Sequence, residues 1–217
     1  MTPLAITARL GGPASLSNGP PAIDAILMAA VAMRDNLPPL SVVGAANATQ
    51  LDIPIARSAC GRVWLASFAE YQVEESEARW VNRKFPIAEA QLLGEPKLRR
   101  INISAGAQKS YRLPLETVHL VDDTMRWWCL GDDAAIRELL ALVSYVGKKR
   151  STGLGKVREW TVEPCEPWPG FPVLRDGVPM RTLPRDWEGL AEYDLAFRVL
   201  DPPYWDHARE EECAVPL

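Results

Sequence analysis

Twelve consecutive residues, Tyr145-Val146-Gly147-Lys148-Lys149-Arg150-Ser151-Thr152-Gly153-Leu154-Gly155-Lys156, combine three glycines, four cations and two hydroxyls. Glycines let a backbone approach a ligand closely and adopt positive φ. Cations beside exposed N–H groups favour a phosphate. A Walker A loop is excluded, because the glycine spacing is wrong and no Lys-Ser/Thr pair follows the second glycine. A dinucleotide fingerprint fails as well, since the element before the loop reads as a helix. Two readings stay open. One is a structural turn, with Gly147 as a helix cap and Gly153 and Gly155 as turn residues. The other is a nucleic-acid clamp in which Lys148, Lys149, Arg150 and Lys156, with Ser151 and Thr152, meet roughly two to four phosphates in a salt-dependent way.

Other residues with chemical potential are sparse. The chain has two histidines. His119 lies in the apolar run Leu115–Val121 and reads as structural. His207 follows Asp206, and adjacent residues rarely share one site. Both are weak candidates for the acid–base work of metal-independent RNA cleavage, which activates a 2′-hydroxyl and protonates the leaving oxygen. The acid pairs Asp122-Asp123, Asp132-Asp133 and Glu74-Glu75 read as solvent-facing or helix-start charge, not as a metal nuclease. Cys60, Cys129, Cys165 and Cys213 are scattered without a paired spacing, so no metal or other cofactor is expected.

Charge is distributed unevenly over the 217 residues, whose formal net charge is -4. Residues 161–217 hold 5 Lys/Arg against 12 Asp/Glu, whereas residues 79–112 hold eight cations and two acids. That asymmetry suggests a basic face for an anionic partner and an acidic region elsewhere. Arg79, Arg83, Lys84, Arg99 and Arg100, with Trp80 among them, carry the basic stretch. The N-terminus lacks a signal-peptide pattern and the longest apolar run, Ala25–Met33, is too short to span a membrane. A cytoplasmic protein with reduced cysteines is the expectation.

The elements that must position these residues follow from periodicity. Residues 3–10 alternate as a strand. Pro20-Pro21 opens a helix running to about Asp35. Residues 61–71 read as a strand, and 74–118 as an irregular, hairpin-bearing insertion. Met125–Leu130 is an aromatic strand. Asp132 caps a helix over 133–146, with Gly147 as its C′ residue. Lys156–Glu163 is a strand whose Lys156, Arg158, Trp160 and Val162 share one face. Asp176-Gly177 centres a hairpin over 173–180. Residues 193–199 form an amphipathic strand, and the tail from Pro202 is irregular. The order is βαββαβ with an insertion before the third strand. That predicts an α+β, ferredoxin-like (RRM-like) sheet with both helices on one face and an open face of the kind RNA uses.

Gly147, five residues, then Gly153-Leu154-Gly155, lying between the second helix and the last strand of such a unit, resembles the glycine-rich loop of the RAMP superfamily of CRISPR-associated proteins. Tyr145 stands where that pattern often has its first glycine. The strand and the Pro20-Pro21-Ala22-Ile23-Asp24-Ala25-Ile26-Leu27 helix opening are similar to the family's N-terminus. Length, basic insertion and tail look most like the subunit capping the 5′ handle of CRISPR RNA in type IV effector complexes. The resemblance implies a RAMP domain over 1–163 with a thumb-like insertion at about 72–120, and a β-rich extension over 164–217. It implies a non-catalytic RNA-binding subunit. Its partners would be CRISPR RNA, backbone and large subunits, and target DNA met through the guide. It implies no cofactor and a role in defence against viruses and plasmids. The implied RNA-binding set is Gly147 to Gly153, Gly155, Lys156, Arg158, Arg79, Trp80, Arg83, Lys84, Arg99 and Arg100. The alternative is a metal-independent CRISPR RNA-processing endoribonuclease, and a small-molecule enzyme is a third class.

Overall fold

The computed structural model describes residues 1–16, 19–37, 51–87, 103–104 and 109–216. Within them the chain is an α+β protein with two α-helices and many antiparallel strands. The central sheet is built on β1 (Thr2–Leu10), flanked by β4 (Thr124–Gly131) and β5 (Val157–Pro164), both antiparallel to it. The period-two pattern of β1 is real: Leu4, Ile6, Ala8 and Leu10 are all buried. They face Met125, Trp127 and Cys129 of β4 in one core. Helix α1 (Ile23–Arg34) and helix α2 (Asp133–Leu140) pack on that core through Ile23, Leu27, Met28, Val31, Ile136, Leu139 and Leu140. Both helices therefore cover the same face of the sheet.

The expected strand over 61–71 is replaced by isolated bridges along the outer edge of β4, Ala66 opposite Cys129 and Glu70 opposite Arg126. Its regularity breaks because the Ala66 N–H turns back to the Trp64 carbonyl (2.8 Å), and the Ser67 hydroxyl takes the N–H of Trp128 (3.0 Å). The other face of the sheet is not an open basic platform. It carries Glu159 and Glu163 opposite Arg9 and Ala5. Trp128 there is roofed by Trp168 (5.8 Å between rings) and by the Arg175 guanidinium, 4.4 Å from each of the two rings.

The arms of the insertion are regular, contrary to expectation: β2 (Val73–Arg83) and β3 (Tyr111–Leu120) form one long hairpin stem. Solvent lies on both faces of most of it, so the sequence shows no apolar alternation to betray it. Helix α2 ends at Leu140, six residues earlier than its apolar stripe suggests. Val143 and Val146 remain buried, but through a turn and an extended segment that pairs with 155–157. Gly147 is therefore no helix cap. A register shift between Arg9 and Leu10 sets Val157, not Arg158, on the buried face with Trp160 and Val162. Such a bulge reverses the side-chain parity that simple alternation assumes.

The C-terminal residues form a hairpin, β6 (Leu174–Arg175) and β7 (Val178–Pro179). Asp176 and Gly177 are both left-handed (φ 53° and 82°), as that two-residue turn requires. A second sheet follows, ordered β8 (Leu183–Pro184), β10 (Glu211–Val215), β9 (Asp194–Arg198). The tail expected to be irregular supplies its central strand. This part is tied to α1 by a buried polar cluster. The fully buried Arg181 guanidinium reaches Asp24 (3.1 Å), the Trp64 and Leu200 carbonyls (2.7 and 2.8 Å) and the Tyr204 hydroxyl (2.8 Å), which itself donates to Asp24 (2.8 Å). Burial and the neighbouring Asp24 carboxylate hold the Tyr204 phenol well above its ordinary range. Among the described residues, no helix is long and apolar enough to cross a membrane.

Candidate nucleic-acid interface

The glycine loop is a closed device. At its base the Val146 N–H donates to the Gly155 carbonyl (2.8 Å) and the Val157 N–H to the Ser144 carbonyl (2.9 Å), with Tyr145 opposite Lys156. At its tip, residues 150–152 make one 3-10 turn, with the Thr152 hydroxyl and N–H both on the Lys149 carbonyl (2.7 and 2.9 Å). Gly147, Gly153 and Gly155 are left-handed, and so is Lys149 (φ 56°). A β-carbon on Gly155 would stand 1.8 Å from the Val146 carbonyl oxygen, and one on Gly147 2.6 Å from that of Ser15. Gly153 has open space around it, so only its φ of 86° asks for glycine. Leu154 is buried and anchors the loop, while Gly147, Lys148, Arg150, Ser151, Thr152, Gly153 and Lys156 are exposed.

A turn after β1 forms the bed. The Gly155 N–H donates to the Pro13 carbonyl (2.9 Å), the Lys148 N–H to that of Ser15 (3.0 Å), and the Gly11 N–H to that of Lys156 (2.7 Å). Arg158, the extra residue of the β5 bulge, is exposed and lies over Gly11, its Nε 3.2 Å from where a β-carbon there would sit. The loop path is thus fixed from both sides. Its cations ride on rigid backbone, which spares the ordering entropy a mobile loop would lose on binding.

The same turn holds the hairpin. Ala14 and Val118 exchange both backbone hydrogen bonds (3.0 and 2.8 Å), which sets β3 alongside residues 13–15. At the far end of β3, the Lys149 ammonium lies 3.4 Å from the Tyr111 hydroxyl and 5.4 Å from its ring centre. Loop and stem therefore meet at Lys149 and Tyr111. The register places Arg79, Arg83 and Tyr111 on one face of the stem and Trp80 and Arg112 on the other. Trp80 is 55% exposed, with the Arg112 guanidinium stacked 4.5 Å from its ring centre. Lys84 follows β2 and is exposed. Arg79 is paired with Glu77 (2.5 Å), which reduces its free charge. Arg99 and Arg100 lie outside the described residues.

The histidines sit apart from the loop. His119 is eight positions along β3 from Tyr111, half-buried, its Nε2 4.0 Å from Glu77. His207 is highly exposed in a short turn, and its Nδ1 meets Glu210 (2.7 Å), not the preceding aspartate. Two of the acid pairs have separate structural roles, and Glu74 and Glu75 are solvent-exposed on β2. Asp122 and Asp123 form a left-handed turn between β3 and β4. Asp132 accepts the Ala135 N–H at the start of α2 (3.0 Å), and Asp133 pairs with Arg137 (2.6 Å). Among the described residues, no three His, Cys, Asp or Glu side chains cluster as metal ligands.

Two features of this surface are not legible in the sequence: the contacts of Tyr111 and Arg112, and the bed at Pro13–Ser15. Tyr111 and Arg112 were recognisable as a ring and a cation within the basic stretch, but their contacts depend on strand register. The Pro13–Ser15 bed was visible only as the end of β1.

A family model described as "CRISPR type IV associated protein Csf3" matches residues 2–216. The chain belongs to this family. The match spans the sheet, the hairpin, the loop and the acidic C-terminal part together, so all of them are features of one type IV CRISPR-associated protein. Among curated proteins, none matches the chain significantly.

Proposed function

We propose that the chain is a non-catalytic RNA-binding subunit of a type IV CRISPR ribonucleoprotein. The glycine loop and the adjoining hairpin grip the 5′ handle of CRISPR RNA, and the subunit helps assemble a complex that meets target DNA through the guide. The observation that carries this reading is the junction at Lys149 and Tyr111, which makes the loop and the basic stem one continuous surface. Lys148, Arg150, Lys156 and Arg158 line the loop side of it. Arg79, Arg83 and Lys84 line the stem, with the Trp80–Arg112 stack on its reverse face. Cations set on rigid backbone contact phosphates without reading bases, whereas exposed aromatic rings stack on them.

The strand order supports a ferredoxin-like RAMP domain over 1–163. From the 64–70 edge segment it runs through β4 and β1 to β5, antiparallel throughout, with both helices on one face. The segment 164–217 is then an extension docked through Arg181. Arg99 and Arg100 belong to the same RNA-binding set by their place in the basic stretch.

The test is binding of repeat-derived handle RNA by the purified chain, with EDTA present, read both as affinity and as RNA integrity. The Lys148→Ala/Lys149→Ala/Arg150→Ala variant is expected to bind more weakly, with a salt slope smaller by about 2, since each single-strand phosphate contact contributes about 0.7. Unchanged affinity and slope would remove the loop from the interface. Specific cleavage of the RNA in EDTA, lost in His119→Ala or His207→Ala, would replace this reading with an endoribonuclease.

A further inference from the structure

The acidic C-terminal part ends in a sheet edge that ordinary folded proteins avoid leaving bare. Strand β9 is the outer strand of its sheet and pairs only with β10 among the described residues. Side chains two apart on a strand share a face, and here those are Leu195 and Phe197, 49% and 64% exposed. The amphipathic pattern of 193–199 leads one to expect that pair inside. Natural edge strands are blunted by shortness, charged side chains, proline or a bulge. Strand β9 is five residues long with Asp194 and Arg198 at its ends, but it has no proline or bulge, and its register with β10 is unbroken over five pairs. It is also firmly supported, since Cys213 and Ala214 behind it are fully buried.

The charge around the edge selects its occupant. Glu192 and Asp194 are exposed beside the apolar pair, and Glu212 stands opposite Phe197. Of the cations close by, Arg185 is paired with Glu212 (2.6 Å), while Arg198 keeps its charge at the Phe197 carbonyl (2.9 Å). Residues 161–217 together carry seven more acids than cations, from 12 less 5. A nucleic acid is repelled by such a surface, and a basic polypeptide is attracted.

We propose that the β9 edge docks an extended strand of a protein partner whose apolar side chains cover Leu195 and Phe197 and whose flanking Lys or Arg residues meet Glu192 and Asp194. Main-chain hydrogen bonds to the outer edge of β9, which pairs with no further strand among the described residues, supply affinity, and the apolar pair and acids supply register and selectivity. The inference extends the assembly half of the reading above and does not rest on the RNA half.

The experiment uses the complex assembled by co-expression with the neighbouring CRISPR-associated subunits and the CRISPR RNA. A photo-crosslinking benzoyl-phenylalanine replaces Phe197, and crosslinked peptides are sequenced. The expected product joins position 197 to a peptide of another protein subunit, with Lys or Arg flanking apolar residues. Phe197→Glu is expected to lower recovery of that subunit about tenfold or more, and handle-RNA affinity is expected to stay within about twofold. Glu192→Lys/Asp194→Lys, which touches no core contact, is expected to weaken it in the same direction. Crosslinks to RNA, DNA or a second copy of this chain overturn the proposal. Unaltered subunit recovery in Phe197→Glu, or tighter association after charge reversal, does the same. If the loop variants leave RNA affinity unchanged while the protein crosslink persists, the RNA reading fails and the docking inference stands.

Discussion

Replacing Gly155 with alanine separates the described loop path from any looser alternative. At φ 66° the new side chain incurs a left-handed strain of about 1–2 kcal/mol. Its β-carbon would also stand 1.8 Å from the Val146 carbonyl oxygen, so the two strands at the loop base must part. The Val146–Gly155 hydrogen bond is then lost, at about 1 kcal/mol. The total is about 2–3 kcal/mol, which lowers Tm by about 4–12 °C in a chain of this length. Gly153→Ala is the internal control. It has φ 86° but nothing within 4 Å, so it costs about 1–2 kcal/mol from strain alone. Scanning calorimetry gives the two Tm values, and handle-RNA affinity is measured on the same samples. Gly155→Ala is expected to lose more stability and to bind RNA more weakly, whereas Gly153→Ala loses only its strain, about 2–8 °C in Tm, and keeps RNA affinity close to wild type. Equal Tm losses, or a neutral Gly155→Ala, would refute the ladder at the loop base and the close approach argued from it.

Removing Asp24 leaves the Arg181 charge buried and short of its partner, so Asp24→Ala is expected to destabilise by about 3–5 kcal/mol, read as the midpoint of urea unfolding. Tyr111→Phe keeps the ring under Lys149 but removes its hydroxyl, and Tyr111→Ala removes both. RNA affinity is expected to fall in the order wild type, Phe, Ala if the junction orders the loop. Thiol reactivity at mild alkaline pH is expected to start at Cys60, whose thiol is held below its ordinary range by the Ser58 hydroxyl and the Arg62 N–H. It should end at Cys129, whose thiol burial pushes up to about 12; iodoacetamide labelling followed by peptide mass mapping gives the order. The same burial has a stability consequence. The unfolded thiol ionises near 9.0 and the folded one near 12, so stability falls as pH rises through that window and is unaffected below it.

Much of this was legible in residue order, for definable reasons. The burial of Leu4, Ile6, Ala8 and Leu10 follows from alternation, and the Asp132 cap and the Asp176-Gly177 turn follow from side-chain chemistry. Regularity without a one-sided core was not legible. The stem of β2 and β3 faces water on most of both sides, so nothing in its pattern distinguishes it from an irregular segment. The end of α2 was hidden because Val143 and Val146 continue the apolar stripe into a non-helical stretch. The Arg158 bulge inverted the face assigned to the loop-proximal cations. Leu195 and Phe197 alternate as a buried face does, and only their exposure in the folded chain shows that face turned outward. At the candidate site, the residue types were visible in the twelve-residue loop. The coupling of Lys149 to Tyr111, and of Gly147 and Gly155 to Pro13–Ser15, arises from long-range contacts that no local spacing records.

Ultraviolet crosslinking of the chain to CRISPR RNA within its complex, with the linked peptides and nucleotides both sequenced, decides whether loop and stem hold the handle. Crosslinks are expected from residues 147–158 and from the Trp80 and Tyr111 segments to nucleotides of the 5′ handle. Crosslinks confined to the guide region, or to peptides outside the loop and the stem, would contradict that expectation.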